Sequence, residues 1–84
     1  GIVKRIKKIT ELNVDDIFIQ KRKSSYGEIV HKSVVIKKQH LNTRKVRIVV
    51  FTITNKGFFL NKNDLNYIDY AIGIGNDEFW KIND

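Results

Sequence analysis

In the opening segment GIVKRIKKITELN, apolar Ile2, Ile6, Ile9 and Leu12 recur at helical spacing. Val3 lies beside them, and Lys4, Lys7, Lys8 and Glu11 fall between. The pattern predicts a short amphipathic N-terminal helix, because a strand in phase with Ile2 and Ile6 leaves Ile9 and Leu12 out of register. From Val14 the period changes to two and β-branched residues dominate. DDIFIQKRK reads as a strand with Ile17 and Ile19 on one face, SSYG as a hairpin turn, and EIVHKSVVIKKQH as the returning strand, with a bulge where alternation slips at Val34 and Val35. LNTR makes the next turn, because Asn tolerates unusual backbone angles. KVRIVVFTIT follows as a third strand, with Val46, Ile48 and Val50 on one face and Lys45, Arg47, Val49 and Phe51 on the other. These segments predict a three-stranded antiparallel meander.

The remainder has a different texture. NKG supplies a tight turn and FFL a further short strand. In NKNDLNYIDYAI, Asn61 or Asn63 is placed to cap a short helix with Leu65 and Ile68 on its buried side. YAIGIGNDEFWKI reads as a strand, a turn at Gly75-Asn76-Asp77 and a closing strand with Phe79, Trp80 and Ile82; in the alternative, the helix runs through Ala71 and Ile72 and ends at Gly73 and Gly75. The predicted fold class is α+β: an N-terminal helix, an antiparallel sheet of three to five strands, and one short helix before a C-terminal β-hairpin. The 84 residues hold no linker or repeat, so residues 1–84 are expected to form a single basic domain. A domain of this size needs its large apolar groups inside, which assigns Phe18, Phe58, Phe59, Phe79 and Trp80 to the core.

Charge changes the picture most. Sixteen Lys and Arg stand against nine Asp and Glu, giving +7, and the excess is concentrated: residues 1–47 carry +9 and residues 48–84 carry −2. Such asymmetry points to a polyanionic partner, either nucleic acid or an acidic protein. The chain has no cysteine, which excludes disulfides and thiolate metal sites, and no apolar run near the roughly 20 residues of a membrane span. No membrane partner and a cytoplasmic setting are expected.

The candidate chemistry is narrow. His31 and His40 are the only histidines and neither has a second ligand at metal-binding spacing, while turn and capping roles account for Asp15, Asp16, Asp64 and Asp69. No metal and no cofactor are expected. The order helix, three-stranded meander, short helix, strand, concentrated in GFFLNKNDLNYIDYAIGIGNDEFWKI, resembles the later part of a PD-(D/E)XK, restriction-endonuclease-like core. The resemblance implies a central strand carrying an acidic residue, and a lysine two places on, to hold magnesium and the attacking water. The matching strand RIVVFTIT has Ile48, Val49, Val50 and Phe51 there, and apolar side chains cannot ligate magnesium. The family's activity is therefore not carried over.

Three functional classes follow. The first is non-catalytic nucleic-acid binding with low sequence specificity, through phosphate contacts from Lys21, Arg22, Lys23, Lys37, Lys38, Arg44, Lys45 and Arg47, with Tyr26 or an exposed Phe51 stacking on a base. The second is a protein-binding inhibitor or interaction module from a phage or mobile element, acting on a nucleic-acid machine. The third is a metal-independent ribonuclease broadly similar to the barnase and RelE group of toxins. There His31 and His40 would serve as general acid and base, with Arg44, Arg47, Lys32 or Tyr26 steadying charge.

Overall fold

The apolar positions that suggested an N-terminal helix are buried by a different route. The computed structural model describes residues 2–57 and 60–83. In it the chain begins as strand β1 (Ile2–Ile6), leaves the sheet, and makes a short 3-10 turn over Ile9–Glu11. The Glu11 carboxylate accepts hydrogen bonds from the backbone N–H groups of Lys7 (3.0 Å) and Lys8 (3.2 Å), occupying donors that a longer strand would offer to a neighbour. Ile6, Ile9 and Leu12 are 2% exposed or less, whereas Ile2, predicted on the same buried face, is 74% exposed. The out-of-phase pair Ile9 and Leu12 thus marks the end of a strand, and the N-terminal helix is corrected to a strand and a turn.

Five more strands follow: β2 (Ile17–Ser24), β3 (Gly27–His40), β4 (Lys45–Lys56), β5 (Leu65–Ala71) and β6 (Glu78–Asn83). They form one antiparallel sheet in the order β1-β6-β2-β3-β4-β5. The β2-β3-β4 meander lies where alternation placed it, and the β3-β4 ladder has register shifts at Lys32/Ser33 and Val35/Lys37, on either side of the expected bulge. Bulges bend a strand and strengthen its twist. Beyond Val35, whose backbone still exchanges hydrogen bonds of 2.8 Å with Asp15 and Asp16, β3 keeps only β4 as a strand partner, and the sheet curls until its two edges meet. The meeting point is an antiparallel bridge between Lys8 and Gly73, where the Ile9 N–H donates to the Ile72 carbonyl at 3.2 Å. The result is a nearly closed all-β barrel, with no α-helix among the described residues.

The short helix expected over residues 61–72 is likewise a strand. In β5, Asn66, Ile68 and Tyr70 turn inward while Leu65, Tyr67 and Asp69 turn outward, and β4 supplies the ladder from Phe51↔Leu65 to Lys45↔Ala71. The Leu65/Ile68 spacing fits a helix locally, but pairing with β4 satisfies the backbone of this segment in the tertiary structure. The C-terminal hairpin is also corrected. Gly75-Asn76 do turn, yet β5 lies at one edge of the sheet while β6 inserts between β1 and β2, so the strands flanking this turn do not pair. The α+β class is therefore replaced by antiparallel β. The predicted FFL strand begins at Phe58 and Phe59, which lie outside the described residues.

The core fills the inside of the curl. Phe18, Val35, Val46, Ile48, Val50 and Phe79, with the three residues of the N-terminal segment, are all 2% exposed or less. Phe18 stacks on Phe79 with ring centroids 6.2 Å apart, and Tyr70 meets Phe79 edge-on at 5.3 Å. Phe18 and Phe79 take the assigned core positions; Trp80, one residue on, faces the opposite side of the sheet and is only half-buried. Ile17 and Ile19 also lie on the outer face, since their neighbours Phe18 and Gln20 are the inward pair.

Candidate nucleic-acid interface

Period-two geometry divides the predicted cations. Lys21, Arg22 and Lys23 are consecutive in β2, so their side chains alternate between faces. Lys21 stands across from Glu78 and Lys23 across from Glu28, while Arg22 turns to the barrel mouth and forms a bidentate pair with Asp77 at 2.7 and 2.6 Å. Each cation at this end therefore has a carboxylate opposite or bonded to it. Tyr26 is fully exposed at the tip of the β2-β3 turn, which is closed by the Ser24 hydroxyl donating to the Gly27 carbonyl at 2.8 Å.

The second group lies at the other end of β3. Arg44 belongs to the turn between β3 and β4, where the Asn42 side-chain carbonyl accepts from the backbone N–H groups of Arg44 (2.8 Å) and Lys45 (3.0 Å). Lys37 is opposite Val49 and Lys45 opposite Ala71, and Lys37, Arg44 and Lys45 are exposed with no ion pair among the described residues. Lys38 turns inward and donates from Nζ to the Thr10 carbonyl at 2.7 Å, which ties it to the N-terminal turn. Arg47 pairs with Asp69 at 2.7 and 3.1 Å, and both side chains are more than 40% exposed. A hydrogen-bonded Arg47 guanidinium lowers the Asp69 pKa, but a pair this open to water contributes little to stability and is readily exchanged.

Between these cations lies an outward patch of β3, β4 and β5. Val34, Phe51 and Leu65 stand side by side across the three strands, and Lys37, Val49 and Tyr67 form the next row. Tyr67 is 72% exposed and Leu65 44%, while Phe51 is half-buried beside them. Phe51 was legible as an outward residue of a basic strand. Tyr67 was not, because it fell in a segment read as a helix; the alternation of LNYIDYA was the signal that could have placed it.

The two histidines do not converge. Nine residues of β3 separate them, about 30 Å of strand at about 3.3 Å per residue, and His31 faces Gln20 whereas His40 is exposed opposite Val46. His31 is 1% exposed and set in a polar network inside the barrel. Gln20 Nε2 donates to the Asp77 carboxylate at 3.0 Å, which turns its Oε1 inward, and Oε1 accepts from His31 Nε2 at 2.6 Å and from the Tyr70 hydroxyl at 2.7 Å. His31 therefore carries its proton on Nε2. Burial pushes its pKa down to about 4, so it is neutral at pH 7 and sealed from substrate. Burial raises the Tyr70 pKa, keeping that hydroxyl protonated as a donor. The network supports the fold at the barrel mouth, where it adjoins a cleft of about 190 Å³ lined by Arg22, Tyr70, Ile74, Asp77 and Phe79.

Among the described residues no group of three or more His, Asp or Glu is clustered to hold a metal ion. No protein-family model, curated protein or solved structure matches this chain.

Proposed function

We propose that this protein is a non-catalytic nucleic-acid-binding domain whose contact surface is the outer face of β3, β4 and β5 together with the β3-β4 turn. One observation carries the reading: Lys37, Arg44 and Lys45, exposed and without ion pairs among the described residues, border an outward patch containing the highly exposed ring of Tyr67. Lysine and arginine side chains track phosphates and supply affinity without reading sequence. An exposed aromatic ring accepts any base by stacking, which gives low sequence specificity. The β2-β3 end takes a lesser part in this reading, since the carboxylates of Asp77, Glu78 and Glu28 oppose Arg22, Lys21 and Lys23.

The test is salt-dependent affinity. Replacing Lys37, Arg44 and Lys45 together by glutamine is expected to weaken binding alike on all sequences and to lower the slope of log K against log salt by about 2 on single strands. The same slope in wild type and variant would place the contact elsewhere. No binding to any DNA or RNA at low salt would overturn the reading in favour of a protein partner.

A further inference from the structure

The patch on β3, β4 and β5 is one end of a longer feature. In the registers of the sheet, Val3, Ile82, Ile17, Val34, Phe51 and Leu65 lie side by side, one from each strand, on the outer face. Outward positions of a small barrel face water, and polar residues are expected there; here every strand supplies an apolar one. Val3 and Leu65, at the two edges, are 52% and 44% exposed, and the four between are half-buried against one another. The rows on either side carry the cations and rings. On one side Arg5, Trp80, Ile19 and Lys32 are neighbours, with the Arg5 guanidinium 5.9 Å from the Trp80 ring centre; on the other are Lys37, Val49 and Tyr67.

We infer that the ligand is a single-stranded nucleic acid laid across the strands along this apolar row, from Tyr67 at the β5 edge to Trp80 near the β1 edge. The inference rests on the nucleic-acid reading above and adds the class of ligand and its path. A duplex hides its base faces and offers only phosphates to such a surface, leaving the row in water. Unpaired bases present flat apolar faces to Tyr67 and Phe51, while their phosphates reach Lys37, Lys32 and the Arg5 guanidinium that lies over the Trp80 ring. A second copy of the chain would cover the row too, but would set the same cations against each other. Five interstrand spacings of about 4.8 Å make the row about 24 Å long at the backbone, and a ligand on the outside of the curl follows a longer arc, which calls for more than about four nucleotides, within the range of about 4–16 for small barrels.

Trp80 is the sole tryptophan, so its emission reports whether the far end of the path is occupied. The experiment titrates the protein at low salt with oligothymidylates and oligouridylates of two and eight nucleotides, and with a duplex carrying as many phosphates as the eight-mer. The eight-nucleotide strands are expected to quench Trp80, the dinucleotides to need at least about tenfold higher concentration, and the duplex to leave emission unchanged. Tyr67→Ala, at a position 72% exposed, is expected to weaken the eight-mer about tenfold with an unchanged circular dichroism spectrum. If the duplex competes as well as the single strand, or if the strands bind without altering Trp80, the path is wrong while the nucleic-acid reading stands. Absence of all binding defeats both. A dimer by light scattering, with Trp80 emission unchanged by any strand, would assign the row to a second copy.

Discussion

Replacing His31 by glutamine is expected to remove a pH dependence of stability that the barrel interior imposes. The buried imidazole has a folded-state pKa of about 4, against 6.5 in the unfolded chain. The unfolded state therefore binds the extra proton first. Stability is full above the unfolded value and falls as pH drops through the interval between the two, because protonated His31 would place an unsolvated cation inside the barrel. At about 1.36 kcal/mol per pKa unit the gap is worth about 3 kcal/mol in all, of which about 2.5 kcal/mol is lost by pH 4.5. That is a large share of the 5–15 kcal/mol typical of a small domain. Glutamine keeps an N–H donor for the Gln20 Oε1 and does not titrate. The assay is urea unfolding at pH 7, 6, 5 and 4.5. Wild type is expected to lose about 2.5 kcal/mol over this range, and the variant less than about 0.5 kcal/mol. Equal slopes for both proteins, or a wild-type curve that is flat over the interval, would refute the account of His31 as a buried neutral donor.

Two further substitutions probe the frame that holds the site. Asp77→Asn removes the carboxylate that pairs with Arg22 and fixes the Gln20 amide; its pKa is lowered by Arg22, so its contribution is lost only as pH falls below the ordinary carboxylate range. The variant is expected to lose about 1–2 kcal/mol at pH 7 in urea unfolding and to show a shallower decline below pH 4, in a window distinct from that of His31. Gly57, which follows β4, has a φ of +70°, and a Cβ there would stand 2.7 Å from the backbone carbonyl oxygen of Glu28. Gly57→Ala is expected to cost about 2 kcal/mol by thermal unfolding, more than the roughly 1 kcal/mol of a positive φ alone, because the neighbour is backbone and cannot swing aside.

The central meander was legible because each of its strands carries its own alternation. Val46, Ile48 and Val50 recur at period two, and all three are fully buried. Charge and histidine count were legible as well, being properties of the chain before it folds. Which cations stay exposed and which are paired was legible only in part. Lys37, Arg44 and Lys45 are exposed with no ion pair among the described residues, whereas Arg22 and Arg47 each acquire a carboxylate from the C-terminal part of the chain, 55 and 22 residues away. Such partners follow from topology, and local spacing carries no trace of them.

The terminal segments show the limit most clearly. Ile6, Ile9 and Leu12 announced that they would be buried, and they are, but their helical spacing arose where a strand gives way to a turn. Leu65 and Ile68 suggested a helix because three residues is also the separation of an outward and an inward position on a strand. Which state wins depended on the free edge of β4, whose paired residues lie 14 to 26 positions earlier in the chain. The sequence alone determined which side chains are apolar and how much charge the surface carries, because hydrophobicity and ionisation belong to each side chain; Ile2 and Leu65, apolar yet exposed, show that burial itself depends on the fold. Only the tertiary structure decided which strands adjoin, since pairing energy is shared between distant segments. With that order came the apolar row across six strands and the placement of its flanking rings and cations.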